Sequence, residues 1–186
     1  MKRVVLILGS ISVFLLSPAA WGNDKPNYFS TGVGLYSYTG DISDKTKLDG
    51  AFIVEFTFGR LFHPNFALEA GAGYLHDGHL GDELQGYPIT LTAKGVYPLE
   101  KGRLFAAGGA GVYFMHFDGE IENVKIDRGK DTVFGGHLLM GGDIYIHPSV
   151  FLGIEGKYLF IEKADFKGET VELDGFVITV KVGYSF

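Results

Sequence analysis

Apolar residues fall at every second position in eight separate stretches of the chain. That is the period of β-strands whose two faces meet different surroundings. The first stretch puts Phe29, Thr31, Val33 and Leu35 on one face and Ser30, Gly32, Gly34 and Tyr36 on the other. The second sets Phe52, Val54, Phe56 and Phe58 against Ile53, Glu55, Thr57 and Gly59. The third sets Phe66, Leu68, Ala70, Ala72 and Tyr74 against Ala67, Glu69, Gly71 and Gly73. Further stretches follow over 87–97, 104–114, 134–146 and 150–158. The last carries Phe176, Ile178, Val180, Val182, Tyr184 and Phe186 on its apolar face, against Val177, Thr179, Lys181 and Gly183.

The connections alternate too. His63-Pro64-Asn65, Pro98 to Gly102 and His147-Pro148-Ser149 are short proline turns. Thr39 to Gly50, Asp77 to Gly86, Phe117 to Thr132 and Ile161 to Asp174 are longer and charged. Short turns at one end and long loops at the other are the pattern of an outer-membrane barrel, with both termini at the short-turn end. The fold class expected is all-β, an eight-stranded antiparallel up-and-down transmembrane β-barrel.

Alternation alone also fits a soluble barrel with its apolar face inside. Side-chain size decides between them. An eight-stranded barrel has an interior only just wide enough to be filled by side chains. A face holding Phe52, Phe56, Phe58, Phe66, Phe134 and Phe176 would crowd it, whereas the Gly, Ala, Ser and Thr of the opposite face fit. The Phe-rich face therefore points to lipid. Tyr74, Tyr87, Phe114 and Tyr158 are placed for an outer aromatic girdle, and Phe62, Phe66, Tyr97 and Phe186 for an inner one.

Composition agrees with this division of faces: the 186 residues include 28 Gly and 16 Phe. The absence of cysteine excludes a disulfide scaffold, a thiolate metal site and a catalytic thiol. A net charge of −6 with no basic block argues against a nucleic-acid surface. Lys2 and Arg3, the apolar run from Val4 to Leu16, and the small residues Ala20 and Gly22 have the layout of a secretory signal peptide. The expected organisation is a signal peptide over 1–22, cut after Gly22, and one barrel domain over 23–186.

Gly32-Val33-Gly34, Gly71-Ala72-Gly73-Tyr74, Tyr87-Pro88-Ile89-Thr90-Leu91, Gly108-Gly109-Ala110-Gly111-Val112-Tyr113 and the ending Val180-Lys181-Val182-Gly183-Tyr184-Ser185-Phe186 carry a resemblance. The mature chain resembles small eight-stranded outer-membrane β-barrel proteins of the OmpA/OmpX-like type. The resemblance implies residence in the outer membrane of a Gram-negative bacterium, among outer-membrane lipid and lipopolysaccharide, with a monomer expected. It also implies that Ile178, Val180, Val182, Tyr184 and Phe186 form the signal read by the barrel assembly machinery, with periplasmic chaperones as earlier partners. The family is defined by architecture more than by one activity, so function stays open.

The inward face holds Glu55, Glu69, Asp143 and Glu155, with Lys94, Lys157, Lys181 and His137. Charges in a narrow interior must be paired, so a polar network that closes the lumen is expected, against a narrow polar or proton-conducting path. No catalytic group, metal or cofactor is assigned. His147 and Ser149 invite comparison with barrel enzymes that deacylate lipid A, yet they fall in a short turn at the wrong end. His76, Asp77, His79, Asp82 and Glu83 have metal-ligand chemistry without a matching spacing and read as a solvated loop. The four long loops, with the second taken from His76, carry 16 acids and 7 bases, a surface that could bridge to anionic lipopolysaccharide through Mg²⁺ or Ca²⁺.

Three functions are compatible with these features. The first is a non-enzymatic structural or surface-interaction barrel acting through its extracellular loops. The others are a small channel or transporter for apolar solutes and a lipid-modifying enzyme.

Overall fold

The computed structural model describes residues 25–186 except 47, 49, 80–81 and 122–123, and excludes the side chains of Asp44, His79 and Asp127. The expected signal peptide and its cut after Gly22 lie outside the described residues. Eight antiparallel strands close into a barrel: β1 (Asn27–Tyr38), β2 (Ala51–His63), β3 (Phe66–His79), β4 (Asp82–Leu99), β5 (Gly102–Ile121), β6 (Val124–His147), β7 (Val150–Ile161) and, after a small hairpin, β10 (Gly175–Ser185). Each strand pairs with the next along the chain, and β1 pairs with β10 to close the ring. The hairpin β8 (Ala164–Phe166) and β9 (Glu169–Val171) stands apart from the barrel, and one helical turn, α1 (Ile42–Lys45), follows β1. Closure leaves no strand edge open to lipid, the condition for β-structure in a bilayer.

The alternation sets the faces as expected. Val33, Leu35, Phe56, Ile89, Leu138, Ile154 and Val180 point out and are largely exposed. The short turns lie at one end, where Asn27 and Phe186 exchange backbone hydrogen bonds of 3.0 and 2.8 Å.

The long connections differ from the expectation. Most of 77–86 and 117–132 is strand, not loop: β5 has 20 residues and β6 has 24, against the ~9–11 that cross a bilayer. The reason is visible in the faces. Along β5, Phe114 points out and is exposed, while Met115 and Phe117 point in and are buried; His116 and Asp118 then face out. Above the membrane the exterior is water, so the apolar face becomes the inner one. The inward-facing Tyr36, Ile53, Leu75, Tyr113, Met115, Phe117, Val133, Leu159 and Val177 build an apolar core in the outer part of the barrel. Ile42 of α1, Leu48, Phe166, Val171 and Leu173 close over it.

Candidate functional site: the sealed lumen

Below that apolar core the interior becomes polar. The pleat points Glu55, Glu69, Lys94, His137, Asp143, Glu155, Lys157 and Lys181 inward from six strands, and their side chains meet. Lys157 Nζ lies 2.5 Å from Glu55 Oε1 and 3.6 Å from Glu155 Oε1. Lys181 Nζ lies 3.1 Å from Glu155 Oε2 and 3.5 Å from Asp143 Oδ1. A residue outside the expected set completes the chain: Arg103 Nε donates to Asp143 Oδ2 at 2.7 Å. Glu55, Lys157, Glu155, Lys181, Asp143 and Arg103 thus form one continuous ladder of alternating charge.

Glu69 accepts from Lys94 Nζ at 2.5 Å and from the Tyr28 hydroxyl at 2.6 Å. Tyr28 joins this pair to the ladder, because the Arg103 guanidinium lies 4.5 Å from the Tyr28 ring centre. His137 is the exception among the titratable groups predicted for this belt. It shares a 2.8 Å hydrogen bond through Nε2 with the Thr92 hydroxyl and enters no ion pair among those described. With Arg103 counted, the four carboxylates of this belt face four cations, so the belt balances its own charge. The long side chains fit because small residues lie across from them: the His137 ring covers Gly109, and Lys181 and Asp143 crowd Gly153.

A cavity of ≈ 30 Å³ remains among these groups, lined by Ser30, Glu55, Thr90, Thr92, Glu155 and Thr179 among others. At ~10–15 Å³ per water it holds about two. Toward the short turns, Tyr28, Val96, Phe105, Leu139 and Phe151 form a second apolar layer. Lys94 and Lys181 lie 4.1 and 4.3 Å from the Phe105 ring centre. The polar belt is therefore enclosed between an aromatic layer and the apolar core.

Arg103 was legible in part. It shares the inward parity of Phe105 and Ala107, but falls between the Pro98–Gly102 turn and the alternating stretch that begins at Leu104.

The other candidates stay apart. His147 and Ser149 lie at the β6–β7 turn, where the Ser149 amide donates to His147 Nδ1 at 3.4 Å and Lys25 Nζ donates to Ser149 Oγ at 2.5 Å. Asp82 Oδ1 accepts the Glu120 amide at 2.9 Å, and His76 Nδ1 lies 3.8 Å from Glu83 Oε1. Among the described residues, no group of three or more His, Cys, Asp or Glu side chains could hold a metal ion. Ile178, Val180, Val182 and Tyr184 on β10, with Phe186 just after it, are all exposed and form one outward stripe.

The family model for the outer membrane protein beta-barrel domain matches residues 6–186. No curated protein matches the chain. Among solved structures, neisserial surface protein A (NspA) is similar with a TM-score of 0.69 at 12% identity, over 86% of this chain and 97% of that one. The outer membrane protein OprG from Pseudomonas aeruginosa gives 0.59 at 15% identity, over 89% of this chain and 98% of that one. Ail, the attachment invasion locus protein of Yersinia pestis, gives 0.59 at 13% identity, over 88% of this chain and 100% of that one. At such identities the likeness is one of fold.

Proposed function

The chain belongs to the outer membrane protein beta-barrel domain family, and from that premise we propose a plugged, non-enzymatic barrel that acts through the surface it presents outside the outer membrane of a Gram-negative cell. The observation that carries this reading is the contrast between interior and exterior. The lumen is closed by paired charges and two apolar layers. The β3–β4 and β5–β6 hairpins, α1 and the β8–β9 hairpin meanwhile pack over the outer apolar core above the girdle. Neisserial surface protein A and Ail, whose names refer to a surface and to attachment, support the same assignment for a shared fold. We read the outward stripe of β10 as the segment engaged by the barrel assembly machinery after chaperone-assisted transit, and the folded barrel as a monomer.

The native chain has no cysteine, so orientation can be tested with single introduced thiols. Lys167→Cys, on the β8–β9 hairpin, should react with a membrane-impermeant maleimide on intact cells. Glu100→Cys, at the β4–β5 turn, should react only after the outer membrane is permeabilised. The reverse pattern would overturn the reading.

A second reading, passage of small apolar solutes through the wall, has one observation in its favour. The β3–β4 ladder lapses between Ala72↔Ile89 and Leu75↔Gly86, at Pro88, which has no N–H to donate. Behind it lies an apolar cavity of ≈ 20 Å³ lined by Tyr36, Leu84, Tyr113 and Met115 among others. Loading the purified barrel with a fluorescent fatty acid tests this. Quenching that fails to saturate at one site, as it does for free detergent, would remove the second reading.

A further inference from the structure

We propose that a pocket on the outer wall of β4, β5 and β6, just above the outer aromatic girdle, binds the phosphate-bearing sugar headgroup of an outer-leaflet lipid. Three rows of outward side chains meet there. Register places Tyr87 beside Phe114 and Phe114 beside Thr132. The next row outward is Gln85, His116 and Lys130. Beyond it Glu83 pairs with Asp118, and a bulge brings Arg128 to the same level. The pairing steps from Phe117↔Gly129 to Gly119↔Ile126, so Asp118 faces two residues of β6.

Arg128 sits at φ 54° in the left-handed region, which suits glycine or asparagine better than a long side chain. A bulge re-aims the side chain it carries, and Arg128 is exposed and lines the pocket. The pocket measures ≈ 240 Å³. That is somewhat below the ~300–1,000 Å³ of sites that enclose whole drug-sized ligands, and it suits a headgroup with its chains left outside.

The lining divides by charge. Arg128 and Lys130 stand on the β6 side, Glu83 and Gln85 on the β4 side, with His116 and the Asp118 carboxylate on β5 between them. The guanidinium fork and the ammonium match phosphate oxygens. The carboxylate and amide opposite match sugar hydroxyls. The His116 ring meets the Tyr87 ring edge-on, with centres 5.9 Å apart.

The level of the pocket selects a lipid over a soluble sugar phosphate. Tyr87 and Phe114 below it are exposed at 41% and 38% and continue into exposed Ile89 and Leu91, a path for acyl chains. One row up is two residues, about 7 Å along the strand, which sets the cations in the headgroup layer. The proposal deepens the surface reading and rests on it for orientation only; binding to purified protein does not depend on orientation.

The test is native mass spectrometry of the full-length mature barrel in detergent, each variant first shown folded by heat-modifiable gel migration. The probes are bisphosphorylated lipid A, its dephosphorylated form and glucose 1-phosphate. Lipid A should be retained, with dephosphorylated lipid A and the soluble sugar phosphate each about tenfold weaker or absent. Arg128→Asn combined with Lys130→Gln should reduce lipid A retention about tenfold, while Lys163→Gln, which removes an exposed cation paired with Glu172 away from the pocket, should not. Unchanged retention by the double variant, or equal binding of either control probe, would overturn the site. None of these results alters the thiol-labelling outcome, so the two readings fail separately.

Discussion

Replacing Lys94 by methionine tests whether the lumen is held by paired charge. Lys94 and Glu69 are both almost fully buried, and their charged atoms stand 2.5 Å apart. With an effective dielectric of ~20 that separation gives an attraction of about 7 kcal/mol, much of it offset by the cost of taking both groups out of water. Breaking a buried pair from one side costs about 3–5 kcal/mol, because the remaining charge is stranded. Two features place this case near the lower end. Glu69 keeps the Tyr28 hydroxyl at 2.6 Å, and the adjoining cavity of ≈ 30 Å³ lets water reach the carboxylate.

The expected loss for Lys94→Met is about 3 kcal/mol. The double variant Lys94→Met, Glu69→Gln removes both charges and should recover most of it. The assay is equilibrium urea unfolding in lipid vesicles, followed by far-UV circular dichroism and by the gel shift between folded and unfolded forms. Fluorescence is unsuitable, since the single tryptophan, Trp21, precedes the expected cut. A loss under about 1 kcal/mol for the single variant, or a double variant no better than the single, would refute the argument from stranded charge.

Three further outcomes follow from the same geometry. The Phe151 ring sits directly on Gly183, with no room for a Cβ; Gly183→Val should lower stability by about 1–3 kcal/mol in the same unfolding assay, and a neutral result would mean the aromatic layer can yield. Asp41 Oδ1 accepts the Glu172 amide at 2.6 Å and its Oδ2 meets Lys45 at 2.9 Å. Burial pushes its carboxyl upward, but that amide and Lys45 outweigh it and hold the group below the ordinary value. A depressed carboxylate contributes fully above its unfolded pKa of ~3.9 and loses that contribution as pH falls through the folded value. Hydrogen exchange at the Glu172 amide should therefore speed up, relative to intrinsic exchange, as the medium is taken below about pH 4; Asp41→Asn should flatten the change. In planar bilayers the purified barrel should give no sustained conductance, because the ion-pair belt lies between two apolar layers. Steady single-channel currents would show that the ladder opens.

Much of the architecture was legible because a strand reports its surroundings every second residue. The eight alternating stretches fall inside barrel strands, apart from Phe186, one residue past the end of β10. The size contrast between Phe56 and Gly71, or Phe134 and Gly135, was enough to turn the apolar face toward lipid. The inward charges could be picked out for the same reason: Glu69 and Lys94 interrupt runs of small residues. Their partners could not. Whether Lys157 reaches Glu55 depends on the register carried from β7 through β10 and β1 to β2, which is set by ring closure and leaves no mark in any one strand.

The sequence by itself determined the strands, their number, the face each presents to lipid and the end at which the short turns lie, all local consequences of the pleat and of side-chain volume. Only the tertiary structure decided how far the strands continue and what fills them. Between Phe114 and Met115, and between Tyr74 and Leu75, the apolar positions change face. In sequence that break in phase reads as the end of a strand; in three dimensions it marks the level where lipid gives way to water outside the same continuous strand. A lipid-exposed wall needs apolar residues outside and a water-exposed wall needs them inside. The chain changes from one rule to the other without changing its backbone, and only the closed barrel shows the height at which it does so.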